Sequence, residues 1–134
     1  MEIFACKTKV IAGDGALSVL GQMQIKRLFL VTDPFFMKNG WAQKVAQAAK
    51  CEAVEMFDRV EPDPSVALAA EGTARLKAFS GDLIVALGGG SAMDCAKAMM
   101  YFSKLSIRLV AIPTTSGSGS EVTDFAVLTC KNGK

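Results

Sequence analysis

Apolar residues in this chain come in short compact runs separated by stretches with helical spacing. Phe4 to Ile11 alternates weakly and is rich in β-formers, which predicts an opening strand, and Gly15 to Met23 reads as a short helix. Lys26 to Val31 is an apolar run of the kind buried in parallel sheets. Asp33-Pro34 then supplies an N-cap and a first helical residue for a helix carrying Trp41, Val45, Ala48 and Ala49 at helical spacing. Ala53 to Phe57 predicts a third strand. Asp63-Pro64 repeats the helix start, and Val66, Ala69, Ala70, Leu76 and Phe79 would form the buried face behind it. Asp82 to Leu87 is a fourth strand, Ser91 to Phe102 a helix, Ile107 to Ile112 a fifth strand and Phe125 to Cys130 a sixth. Strands and helices alternating this regularly predict an α/β, Rossmann-like, mainly parallel sheet with helices on both faces.

Composition sharpens that picture. The chain has 134 residues, enough for one domain, and 51% of them are hydrophobic. Either a sheet buried on both faces or an apolar surface facing a partner would account for so much apolar material. The formal net charge is +2 with scattered basic residues, which argues against a nucleic-acid partner. Cys6, Cys51, Cys95 and Cys130 lack zinc-site or redox-motif spacing and read as reduced thiols of a cytoplasmic protein. No signal-like or membrane-spanning apolar stretch is visible, so neither export nor a membrane is expected. There is no histidine, so this chain can build neither a histidine metal site nor a histidine general base.

In such a sheet ligands gather at the carboxyl ends of the strands, and three candidate segments fall on that edge. The turn Gly88-Gly89-Gly90-Ser91 removes side chains where the chain turns into a helix, so backbone N–H groups and the helix dipole can meet an anion such as a pyrophosphate. Ser91 would cap this helix, with Asp94 reaching back as in a capping box. The usual dinucleotide fingerprint is absent, because Met93 stands where a small residue belongs. A plain strand-to-helix turn is the simpler reading, although one glycine would suffice for it. The second segment, Pro113 to Thr123, carries six hydroxyls and two glycines from Thr114 to Thr123; it reads as a ligand-wrapping loop or a flexible linker. The third, Asp33, can hydrogen-bond a ribose hydroxyl and repel a 2′-phosphate, favouring NAD over NADP, or can act as a helix cap, and the two roles can coexist.

GGGSAMDCAK followed by AIPTTSGSGSEVT, with Val31-Thr32-Asp33 and Glu61-Pro62-Asp63-Pro64 before them, resembles the paired motifs of iron-containing (group III) alcohol dehydrogenases. The resemblance spans the whole chain and looks strongest to the propanol dehydrogenases of bacterial microcompartments. It implies that Asp33 contacts the adenosine ribose, that the Gly89-Gly90-Ser91 turn holds the pyrophosphate, and that Thr114, Thr115, Ser118 and Thr123 line the cofactor cleft; Asp63 and Asp94 also fall on cofactor-site positions. Asp63 replaces a more usual asparagine and so loses a neutral donor, whereas Ser118 replaces a threonine and keeps its hydroxyl. In the family, iron or sometimes zinc is held by one aspartate and three histidines of a following helical domain and polarises an alcohol or aldehyde substrate.

The resemblance therefore implies the NAD-binding part of a homo-oligomeric, metal-dependent oxidoreductase, inactive alone, cut off before its metal domain. The turn signal Lys131 to Lys134 has no returning strand behind it, so strand Phe125 to Cys130 is expected to lack a partner and to promote self-association. Two alternatives stay open: a zinc-dependent glycerol-dehydrogenase or dehydroquinate-synthase relative, against which Pro113 to Thr123 argues, and a non-catalytic nucleotide-binding or assembly module.

Overall fold

The computed structural model describes residues 9–12, 16–61, 65–105, 107–113 and 126–131. Strands β1 (Lys9–Ala12), β2 (Arg27–Val31), β3 (Ala53–Phe57), β4 (Leu83–Gly88), β5 (Arg108–Pro113) and β6 (Ala126–Lys131) form one sheet in the order β1-β6-β5-β4-β2-β3. The four central and outer strands β5, β4, β2 and β3 run parallel, and β6 pairs antiparallel with both β5 and β1. The mainly parallel α/β sheet is thus the observed architecture.

Its core lies on both faces. Leu28 and Leu30 of β2 point with Leu83, Val85 and Leu87 of β4 toward α1 (Pro34–Lys38) and α2 (Trp41–Ala49). Phe29 and Val31 point with Ile84 and Ala86 the other way, toward α3 (Val66–Phe79) and α4 (Gly90–Ser103). All six residues of β4 are buried, which is why this strand reads as an unbroken apolar run rather than an alternation. Much of the apolar excess is therefore consumed by a sheet covered on two sides.

The short helix expected within 15–23 is present as a 3-10 helix, Ala16–Gln22, a tight winding common in short connectors. Other local expectations need correction. The helix that opens at Pro34 does not run on through Trp41. It stops at Asn39 and restarts at Trp41, because Gly40 takes a left-handed φ of 89° and the Asn39 side chain accepts the Trp41 N–H at 3.0 Å. Helix α3 is capped by Ser65, whose hydroxyl accepts the Leu68 N–H at 3.0 Å; the Asp63-Pro64 pair expected to start it lies outside the described residues.

The α3 face is also rotated from the one expected. Leu68, Ala69, Gly72 and Leu76 are buried, whereas Val66 is 82% exposed and Ala70 is exposed. Gly72 explains the rotation: a Cβ there would collide with the Met99 side chain of α4, so the two helices close on the one position without a side chain. That contact turns Val66 and Ala70 outward.

The sixth strand is paired on both sides, Leu128 with Val10 of β1 and with Ala111 of β5. The apolar edge expected to lack a partner is thus paired over Ala126–Lys131, and the self-association argued from it loses its basis. Among the described residues the sheet's edges are β1 and β3. Among the described residues no helix is long and apolar enough to cross a membrane.

Candidate functional site

The carboxyl ends of β2, β3 and β4 open onto one cleft of about 490 Å³, lined by Asp33, Pro34, Phe35, Arg59, Val60, Glu61 and Gly89 to Ala92. Thr32 organises these three strand ends. It is fully buried, and its hydroxyl donates to the Leu87 carbonyl at 2.8 Å. Its own N–H donates to Phe57 of β3 at 2.9 Å, and its carbonyl accepts the Val60 N–H at 3.3 Å. One buried threonine thus ties the residue before Asp33 to the turn after β4 and to the loop after β3.

Asp33 serves as the N-cap of α1. Its Oδ1 accepts the Phe36 N–H at 3.1 Å. Its other oxygen turns toward the β4–α4 turn, and a Cβ built on Gly88 would lie 3.9 Å from Oδ2. The cap and the cleft-facing carboxylate are therefore one side chain using two oxygens.

Helix α4 begins differently. Its N-cap is Gly89, in an extended conformation and with no side-chain cap hydrogen bond, and it continues for 14 residues. Ser91 lies inside the helix rather than at its cap, so the capping box expected from Ser91 and Asp94 does not form. A Cβ added at Gly89 or Gly90 would meet nothing within 4 Å. Gly89 and Gly90 thus put no side chain over the start of a helix whose first turn lines the cleft, and four N–H donors need partners at any helix start. Gly88 differs from its two neighbours. Its φ of 140° is a conformation that side-chain-bearing residues rarely adopt, so it makes the turn possible while Gly89 and Gly90 keep the cleft open.

The cleft thus brings Asp33, Gly89, Gly90 and Ser91 together. Asp94 is exposed on α4 and is not among the cleft-lining residues. Asp63, Thr114, Thr115, Ser118 and Thr123 lie outside the described residues. Sequence reasoning missed Arg59 and Glu61. Their signal was positional, since the residues directly after β3 must reach the same edge as those after β2. It also missed Thr32 as a structural tie, although a hydroxyl between an apolar run and Asp-Pro was visible. Within α4, Cys95 is buried, and burial pushes its thiol up to about 11. A neutral, inward-facing thiol of this kind is a packing residue and not a nucleophile at neutral pH.

The residues present fit a nucleotide diphosphate. The bare start of a long helix offers N–H donors and the positive dipole end to the phosphates, and the neighbouring acidic strand end offers an acceptor to a sugar hydroxyl. The fold is a Rossmann-like α/β domain whose cleft opens at the carboxyl edge of its parallel strands.

The chain belongs to the iron-containing alcohol dehydrogenase family, which it matches over residues 7–134. It is 35% identical over 133 residues to 1-propanol dehydrogenase PduQ of Citrobacter freundii, covering 96% of this chain and 36% of that protein. An iron-containing alcohol dehydrogenase from Thermococcus thioreducens superposes with a TM-score of 0.70 and 26% identity, over 92% of this chain and 43% of the other. Sulfoacetaldehyde reductase from Bifidobacterium kashiwanohense, solved in complex with NAD+, superposes with a TM-score of 0.67 and 27% identity, over 82% and 35% respectively. The chain thus spans little more than a third of the length of the curated relative it matches.

Proposed function

We propose that this chain is the cofactor-binding domain of a metal-dependent oxidoreductase that passes hydride between NAD and a primary alcohol or aldehyde, and that it does not turn over alcohol on its own. The observation that carries this reading is the uncapped N-terminus of α4, opening beside Asp33 into the cleft. Family membership and the relative in complex with NAD+ support it.

When bound, the nicotinamide cofactor supplies the hydride acceptor or donor. This chain's residues hold it. The N–H groups of Gly90 and Ser91 take the pyrophosphate, without side chains at 89 or 90 to keep the phosphate at a distance. Asp33 Oδ2 accepts a ribose hydroxyl while Oδ1 stays with Phe36, and its charge disfavours a 2′-phosphate at that position. Asp63 and the hydroxyls of Thr114, Thr115, Ser118 and Thr123 complete the cofactor contacts in this reading, while Asp94, outside the cleft lining, is not needed for it. The metal that polarises the alcohol oxygen needs ligands that a chain without histidine does not supply in the family's manner.

Titration of the purified chain with NADH, followed by fluorescence, tests the reading together with an alcohol-oxidation assay in added iron or zinc. Saturable NADH binding without turnover is expected. Metal-stimulated turnover that survives controls for host enzyme, or the absence of any dinucleotide binding, would overturn it.

A further inference from the structure

Beyond the bare helix start, the cleft holds three ionisable side chains at its β2–β3 end: Asp33, Arg59 and Glu61. In the sheet, β3 lies on the side of β2 away from β4, so Arg59 stands past Asp33 on a line running outward from Gly90. A dinucleotide whose pyrophosphate meets α4 and whose ribose meets Asp33 directs its adenosine toward this arginine. An unpaired guanidinium there is the group that would accept a 2′-phosphate, because a planar fork binds phosphate oxygens in pairs. Arg59 is not unpaired. Its Nη1 is held by the Glu71 carboxylate, which α3 presents from its partly buried side, with side-chain exposures of 54% for Arg59 and 39% for Glu71.

We propose that Glu71 is a positioning residue for cofactor choice. By engaging the Arg59 guanidinium, it withholds a cation from the adenosine end of the cleft and leaves the Asp33 and Glu61 carboxylates to set the field there. A 2′-phosphate arriving at this point meets two carboxylates and must take Arg59 away from a third. NAD, with a free 2′-hydroxyl, meets neither cost. Because an exposed ion pair is weak, the effect of releasing Arg59 is modest and sensitive to salt. The inference rests on the dinucleotide-binding reading above.

The test compares 5′-AMP with 2′,5′-ADP, which differ by the 2′-phosphate alone, on the unmodified chain and on Glu71→Gln, Arg59→Gln and the double variant, with NADH titrated alongside. Glu71→Gln should tighten 2′,5′-ADP by roughly fivefold, the size of one solvent-screened charge contact, and leave 5′-AMP unchanged. The gain should vanish when Arg59→Gln is added and shrink as ionic strength rises, a pattern that a merely structural role for Glu71 would not produce. Both side chains are partly exposed, and matching thermal melts show that the variants are folded. If NADH binds but the ratio of the two probes is unmoved by Glu71→Gln, or the gain persists without Arg59, this inference is wrong while the dinucleotide reading stands. If the unmodified chain binds neither NADH nor 5′-AMP, both fall.

Discussion

Two helices start at the same edge of the sheet, one after β2 and one after β4, and they solve the same problem in opposite ways. Helix α1 has Asp33 as its cap, with the carboxylate occupying the Phe36 N–H. Helix α4 has Gly89 as its cap and no side-chain partner. The third helix start on this edge, α3, follows the first pattern through Ser65. Capping with Ser or Asp is the more stable arrangement, by roughly a few tenths of a kcal/mol over Gly. A 14-residue helix left without it beside a cleft forgoes that stabilisation, and the donors so released are available to a bound anion. The comparison therefore separates a helix start that serves folding from one that serves a ligand.

The largest expected effect comes from filling the bare start. Gly90→Val should weaken NADH binding by roughly 100-fold, about 2.7 kcal/mol, by putting a branched side chain where a phosphate must approach the backbone. Gly90 is not one of the positive-φ glycines, and a Cβ there meets no protein atom within 4 Å, so the melting curve should barely move. Gly88→Ala is the contrasting variant: it should cost roughly 1–3 kcal/mol of stability, because φ at that position is 140°. A Gly90→Val protein that is stably folded and binds NADH normally would dismiss α4 as the phosphate site.

An intermediate effect should separate the two functions of Asp33. Asp33→Asn keeps an oxygen for the Phe36 N–H but removes the charge, whereas Asp33→Gly removes both oxygens. Both should narrow the preference for NADH over NADPH, by about 1–2 kcal/mol. The glycine variant alone should also melt lower, since its cap bond is gone and its backbone is freer. Should Asp33→Asn leave the preference unchanged when both cofactors are titrated, the carboxylate is a cap and nothing more.

The smallest effect runs in two directions at once. Gly89→Ser adds a capping hydroxyl at an extended residue with open space around it. It should stabilise the fold by a few tenths of a kcal/mol and weaken NADH severalfold, because the new hydroxyl competes for the donors that the phosphate uses. Thermal melts and NADH titration on the same sample check both signs. A stabilised variant with undiminished affinity would mean that these N–H groups are not the phosphate contacts.

The residue pattern alone determined the alternation of strands and helices, the mainly parallel sheet and the position of the glycine turn. These depend on short-range properties: period, β-branched and apolar runs, and residues such as Asp33-Pro34 or Gly88 to Gly90 whose backbone preferences act within a few positions. Asp33 was legible for the same reason, as a carboxylate at the end of an apolar run. Tertiary structure decided what depends on partners distant in sequence. Which face of α3 is buried follows from Gly72 meeting Met99, a packing choice between two helices that neither periodicity reveals. That β6 is an interior strand follows from β1 arriving at its far side, from the opposite end of the described chain. The same long-range pairing of β3 beside β2 brings Arg59 to the edge where Asp33 and Gly90 stand, and the packing of α3 brings Glu71 to Arg59. Strand order is set by the free energy of the whole sheet, and no local stretch of residues carries it.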